Sequence, residues 1–71
     1  MGWPKRVMMY VHGSKEQAIA VAEKAGLKYE TEAGRLASFA LTELTCEVDL
    51  HEDGRVELVS VSDGLVTLRR S

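Results

Sequence analysis

One device recurs in the second half of this chain: a short stretch closed by glycine, with residues of strand-like pattern behind it. It stands at Glu32-Ala33-Gly34, Glu52-Asp53-Gly54 and Ser62-Asp63-Gly64. Arginine and an aliphatic residue follow the first two, as Arg35-Leu36 and Arg55-Val56. A three-residue connection with glycine in the left-handed region is a common hairpin turn. Such punctuation predicts a series of antiparallel hairpins.

The elements can be placed around those turns. Arg6 to Val11 reads as a strand whose alternate sets, Val7/Met9/Val11 and Met8/Tyr10, are both apolar. A strand of that kind is covered on both sides, as a central strand or at an interface. Ser14 and Gln17 then form a capping box for a helix. Ala18, Ile19, Val21, Ala22 and Ala25 make its apolar stripe, and Gly26 supplies a left-handed stop. Residues 14–25 would span about 18 Å as a helix. Leu27 to Thr31 alternates as a strand. Arg35 to Leu50 holds sixteen residues without glycine or proline. It reads as a long bent strand, because the 32–34 turn matches the 52–54 turn. A second helix from Thr31 to Leu41 fits the same segment, with Ala33, Leu36, Ala37, Ala40, Leu41 and Leu44 as its stripe.

The fold class expected is α+β. One amphipathic helix packs on a four- to five-stranded antiparallel sheet, in chain order β-α-β-β-β-β, with residues 31–44 as strand or second helix. A chain of 71 residues forms one domain, residues 1–71, and buries only ~60% of its unfolded surface. A three-residue turn at 52–54 sets Leu50 opposite Val56, Val48 opposite Leu58, Asp49 opposite Glu57 and Glu47 opposite Val59. The same turn at 62–64 sets Leu58 opposite Leu68, Val59 opposite Thr67 and Glu57 opposite Arg69. Leu44, Cys46, Val48, Leu50, Val56, Leu58, Val66 and Leu68 then share an inner face beneath the helix. Glu47, Asp49 and Glu57 share the outer face with Val59, Val61 and Leu65.

Charge is unevenly spread. Residues 43–57 carry six acids against Arg55 alone, whereas residues 1–42 carry six bases and four acids. The outer face therefore joins carboxylates to exposed aliphatic residues. A plain reading is a solvated face with one ion-pair cluster. A functional reading is a recognition surface formed by Glu47, Asp49, Glu57, Val59, Val61 and Leu65, since apolar patches rimmed by charge mark interfaces.

Other chemistries find little material. Asp49 and Glu57 on an open sheet face lack the cleft that general acid–base work needs, and no nucleophile–base pair is visible, so no enzyme is expected. Asp49, His51, Glu52 and Asp53 lack a repeated ligand spacing, so no metal is expected. Val11-His12-Gly13-Ser14-Lys15 has the wrong order for a phosphate-binding loop, and no cofactor is expected. Ala22 to Gly26 has the Ala-x-x-x-Gly spacing of a helix-turn-helix turn. Glu32 and Ala33 stand where that motif wants an apolar residue, so no family is inferred. No apolar run approaches the ~20 residues of a membrane span, and the five apolar residues from Val7 are too few for a signal-peptide core. Arg6 stands where a myristoylation motif wants Ser or Thr. Lone Cys46 is compatible with a reducing cytoplasm.

The sequence thus leads to a cytoplasmic, non-enzymatic protein-interaction module. Its sharpest form is an inhibitor whose acidic hairpin blocks a basic, nucleic-acid-binding surface of a partner protein. The alternative is a nucleic-acid-binding accessory protein using Lys15, Arg35, Arg69 and Arg70. A homodimer is expected, because the strand from Arg6 to Val11 is apolar on both sides and the outer patch of Val59, Val61 and Leu65 lacks a cover.

Overall fold

The computed structural model describes residues 2–36 and 39–70. The elements run β1 (Lys5–His12), α1 (Lys15–Lys24), β2 (Lys28–Tyr29), α2 (Glu32–Leu36), β3 (Glu43–Leu50), β4 (Val56–Ser62) and β5 (Thr67–Arg69). The strands form one antiparallel sheet in the order β1-β3-β4-β5-β2. This is the expected α+β architecture, with a short second helix inserted before β3.

Helix α1 starts and stops where its sequence says. The Ser14 hydroxyl accepts from the Gln17 amide at 3.3 Å and caps the first turn. At the other end the Leu27 amide donates to Ala22 O at 2.9 Å and the Gly26 amide to Glu23 O at 3.0 Å. That pair of bonds is a Schellman motif, and Gly26 takes the required φ of 78°. Ala18 and Ala22 are buried, and Ile19 and Ala25 pack beside them. Val21, placed on the apolar stripe from sequence, is instead 57% exposed.

The segment from 31 to 42 departs from the long-strand reading. Thr31 Oγ1 accepts from the Gly34 amide at 3.0 Å, and Thr31 O accepts from the Arg35 amide at 3.1 Å. Threonine thereby acts as a helix N-cap, and Glu32-Ala33-Gly34 becomes the first turn of α2 rather than a hairpin. Gly34 is buried, and a Cβ there would lie 3.3 Å from Thr31 Oγ1. The strand begins only at Glu43. Ala37, of the second-helix stripe, lies outside the described residues. Phe39, which no sequence pattern had placed, is 1% exposed and joins Leu68 at the centre of the core.

The hairpin at 52–54 forms as expected. The His51 amide donates to Arg55 O at 2.8 Å, Gly54 has a φ of 88°, and Leu50, Asp49 and Val48 face Val56, Glu57 and Leu58. Beyond that point the expected register fails. The ladder steps from Val48↔Leu58 to Glu47↔Ser60, so Val59 is an extra residue in a β-bulge. One inserted residue exchanges the faces of everything after it. Val61 therefore lies opposite Cys46 and Leu68 in the core at 2% exposure, and Ser60 takes the outer position. The last connection spans 63–66, with Ser62 opposite Thr67, Ser60 opposite Arg69 and Val61 opposite Leu68. The expected pairs Leu58–Leu68, Val59–Thr67 and Glu57–Arg69 do not occur. Val56, assigned to the inner face, is largely exposed.

A core built around two large fully buried side chains is sensitive to either. Leu68→Ala and Phe39→Ala should each lower the unfolding free energy by about 3 kcal/mol, which is most of what a domain of this size holds. Urea unfolding followed by tryptophan fluorescence measures it. A loss under about 1 kcal/mol in both variants would contradict this core.

Candidate interaction surface

Three carboxylates expected on the outer face do share it. Asp49 stands opposite Glu57, with Glu47 two residues along β3. They are not left as an acidic field, because β1 lies next to β3 and brings Arg6 opposite Asp49. The Arg6 Nε and Nη2 atoms donate to the two Asp49 carboxylate oxygens at 2.7 and 3.1 Å. Arg6 Nη1 also lies 3.7 Å from Glu47 Oε2. From the other side, Arg69 Nη2 and Ser60 Oγ each donate to Glu47 Oε1 at 3.1 Å. Arg69 reaches Glu30 as well, and His51 Nε2 stands 3.2 Å from Glu57 Oε1. The hydrogen bond from Arg6 holds the Asp49 carboxyl below the usual aspartate range, against the opposing effect of its burial. A lattice of opposite charges replaces the patch read from composition.

The aliphatic half of that predicted surface is dispersed. Val59 is buried in the bulge and Val61 in the core. The bulge turns Val61 inward, so neither valine has the outward orientation expected from sequence. Leu65 is exposed, but it sits on the 63–66 connection. Glu57 is five residues away along β4 from Ser62, where that connection begins, or roughly 17 Å at strand rise. The structure joins Glu47, Asp49 and Glu57, and places Leu65 beyond the end of β4, away from Glu57.

Asp63 is the anchor the sequence reading overlooked. Its Oδ2 accepts from the Ala40 and Leu41 amides at 2.9 and 3.1 Å, and its Oδ1 from the Leu65 and Val66 amides at 2.9 and 2.8 Å. One buried carboxylate thus fastens the segment before β3 to the connection before β5. Burial pushes its pKa up, but the four amide bonds outweigh burial and leave it below the usual value of 3.8. The sequence signal was an aspartate before glycine, which bonds its own following amides in a turn. Nothing local disclosed the second pair of amides.

Five consecutive exposed apolar residues, Val7 to Val11, lie on β1. That strand is an edge, paired only with β3 among the described residues. All eight of its residues are exposed, with Met8 at 56%, Met9 at 46% and Tyr10 at 82%. Between Val7 and Val11 the strand has no charge, proline or bulge, the devices that normally blunt an edge. The opposite edge, β2, is protected by being two residues long. Val7, Met9 and Val11 share the helix face with Val48, Cys46 and Leu44, their partners on β3. Helix α1 packs over β4. An apolar groove of about 280 Å³ runs between α1 and β1, lined by Val11, Gln17, Val21, Leu44, Cys46 and Leu58 among others. Burial pushes the Cys46 thiol pKa up, so it stays protonated at neutral pH.

Among the described residues, no helix is long and apolar enough to cross a membrane, and no three His, Cys, Asp or Glu side chains are grouped to hold a metal ion. Comparison with protein-family models, with curated proteins and with solved structures returns no match to this chain.

Replacing the Asp63 carboxylate by an amide has a signed pH consequence. Because the folded pKa lies below the unfolded one, the charged form stabilises the fold above the unfolded value. That contribution is lost as pH falls through the lower folded value. Asp63→Asn should cost about 2 kcal/mol or more at neutral pH. The gap from the parent should narrow below the ordinary aspartate value of 3.8. Thermal melts from neutral to acid pH measure it, and a gap independent of pH would contradict the anchor.

Proposed function

We propose that this chain is a non-enzymatic protein-interaction module of the cytoplasm that binds by strand addition at the β1 edge. The observation that carries the reading is an eight-residue edge strand, exposed throughout and apolar on both faces from Val7 to Val11. An edge of this kind offers a row of unpaired N–H and C=O groups and invites another strand. The bare helix-face residues Val7, Met9 and Val11 add apolar area beside the backbone row. Self-association, as a homodimer, is the form of the reading this pattern favours.

The acidic-inhibitor form of the same reading has weaker support. A basic partner docking on Glu47, Asp49 and Glu57 would first have to displace Arg6 and Arg69 from Asp49 and Glu47. The nucleic-acid alternative loses two of its bases to structural work. Arg69 is bound to Glu47, and Arg70 Nη2 donates to Leu58 O at 2.8 Å and Ala25 O at 3.1 Å.

Met8→Lys with Tyr10→Lys tests strand addition, because both side chains are exposed and edge lysines oppose pairing. Light scattering should give the parent chain a mass that rises with concentration above that of one chain. The double variant should remain a single chain with its melting temperature nearly unchanged. A parent chain that stays single at every concentration would contradict the reading, and so would an assembly that survives both lysines.

A further inference from the structure

We infer that a second copy of this chain docks along the free edge of β1, antiparallel, about a two-fold axis perpendicular to the sheet and midway between the Met9 residues of the two copies. This partner and register rest on the strand-addition reading of β1. A strand added here meets Val7, Met9 and Val11 on one face and Met8 and Tyr10 on the other, so it is best matched by a strand apolar at both alternate sets. Among the described strands β1 itself has that pattern, from Val7 to Val11. A closed pair of identical surfaces also satisfies the edge without leaving a new one to propagate.

Symmetry restricts the register. Residues opposite each other in an antiparallel ladder point to the same face. A two-fold axis normal to the sheet reverses the strand and preserves the faces. Helix-face residues must then oppose helix-face residues, so the two opposed residue numbers differ by an even count. Pairing Met8 with Met9 is excluded. Two registers engage most of β1, one centred on Met8 and one on Met9.

The Met8 register sets Lys5 against the partner's Val11 on the apolar face. The Met9 register sets Val7 against the partner's Val11 and Met9 against the partner's Met9. On the outer face it sets Met8 against the partner's Tyr10. Lys5, whose ammonium lies 4.9 Å from the Trp3 ring centroid, then meets the partner's Gly13, which has no side chain to oppose it. Arg6 meets the partner's His12, behind which Glu43 follows on β3. Arg6 keeps its own Asp49 as counter-ion in this arrangement. Only this register keeps every apolar residue of β1 opposite another. The partner's Val7 arrives beside Val11 at the mouth of the α1–β1 groove. The apolar floor then continues across the axis, flanked by one α1 on each side.

Directly opposed residues in an antiparallel pair have Cα atoms ~4.5–5.5 Å apart, within the range a disulfide accepts. Single cysteines at Met9, Met8, Val7 and Val11 in a Cys46→Ser background read the register under mild oxidation, with light scattering run on the same samples. Met9→Cys should link to itself roughly tenfold faster than any other single variant, because only there is the separation suited to a disulfide. Val7→Cys should link to Val11→Cys when the two are mixed. A dimer that links fastest through Met8→Cys would overturn the register and leave strand addition standing. A single chain by light scattering with no link at any position would overturn both. A dimer that links at none of these sites would place the interface away from β1 and also overturn both.

Discussion

One short helix has to cover a sheet of five strands. Ten residues give α1 a length of about 15 Å and a width near 10 Å. Five strands at a spacing of about 4.8 Å place the outer two some 19 Å apart. The helix lies over β4, and Leu27, Phe39 and Val66 complete the core on that side. Nothing among the described residues reaches across β1. Its helix-face residues Val7, Met9 and Val11, and the exposed side of Val21, follow from that shortage of cover.

The covered half is held by few, well-satisfied polar devices. Asp63 fixes two loops through four amides. Arg70 ties the end of the chain to Leu58 O and Ala25 O. Thr31 and Ser14 cap the two helices. No buried side-chain nitrogen or oxygen among the described residues lacks a hydrogen-bond partner. The covered side is therefore closed in its bonding, while the backbone edge of β1 is not. Contrast between a satisfied interior and an unsatisfied edge supports the proposed interaction at β1 more firmly than charge supports one at the carboxylates. The carboxylates that dominate the composition of residues 43–57 are balanced by Arg6 and Arg69 from the neighbouring strands.

Much of the architecture was legible where local chemistry decides the outcome. The capping serine, the glycine stop and the 52–54 turn each act within a few residues, so helix α1 and the first β3–β4 pairs could be read directly. The exposed role of β1 was half-legible, since an apolar strand of both parities demands cover but does not say which strands neighbour it. The bulge at Val59 was not read, because Val59-Ser60-Val61-Ser62 alternates equally well in either parity. A clue was present: a single face that changes from Glu57 to Val59 and Val61 mixes charge and oil, and a parity change resolves it. Thr31 overrode the resemblance between two glycine turns, since an N-cap hydroxyl makes Gly34 helical. Phe39 and the Ala40 and Leu41 amides depend on contacts over twenty residues away, and no short window contains them.

The central claim is that the outward-facing backbone of β1 is where another chain pairs. Residue-resolved amide hydrogen exchange, recorded over a wide range of protein concentration, tests it most directly. Alternate amides of β1 face β3 and should be protected at every concentration. The intervening amides, which face away from β3, should exchange freely in dilute solution and become protected as concentration rises. Intervening amides that exchange freely even at the highest concentration, while those facing β3 stay protected, would contradict the account.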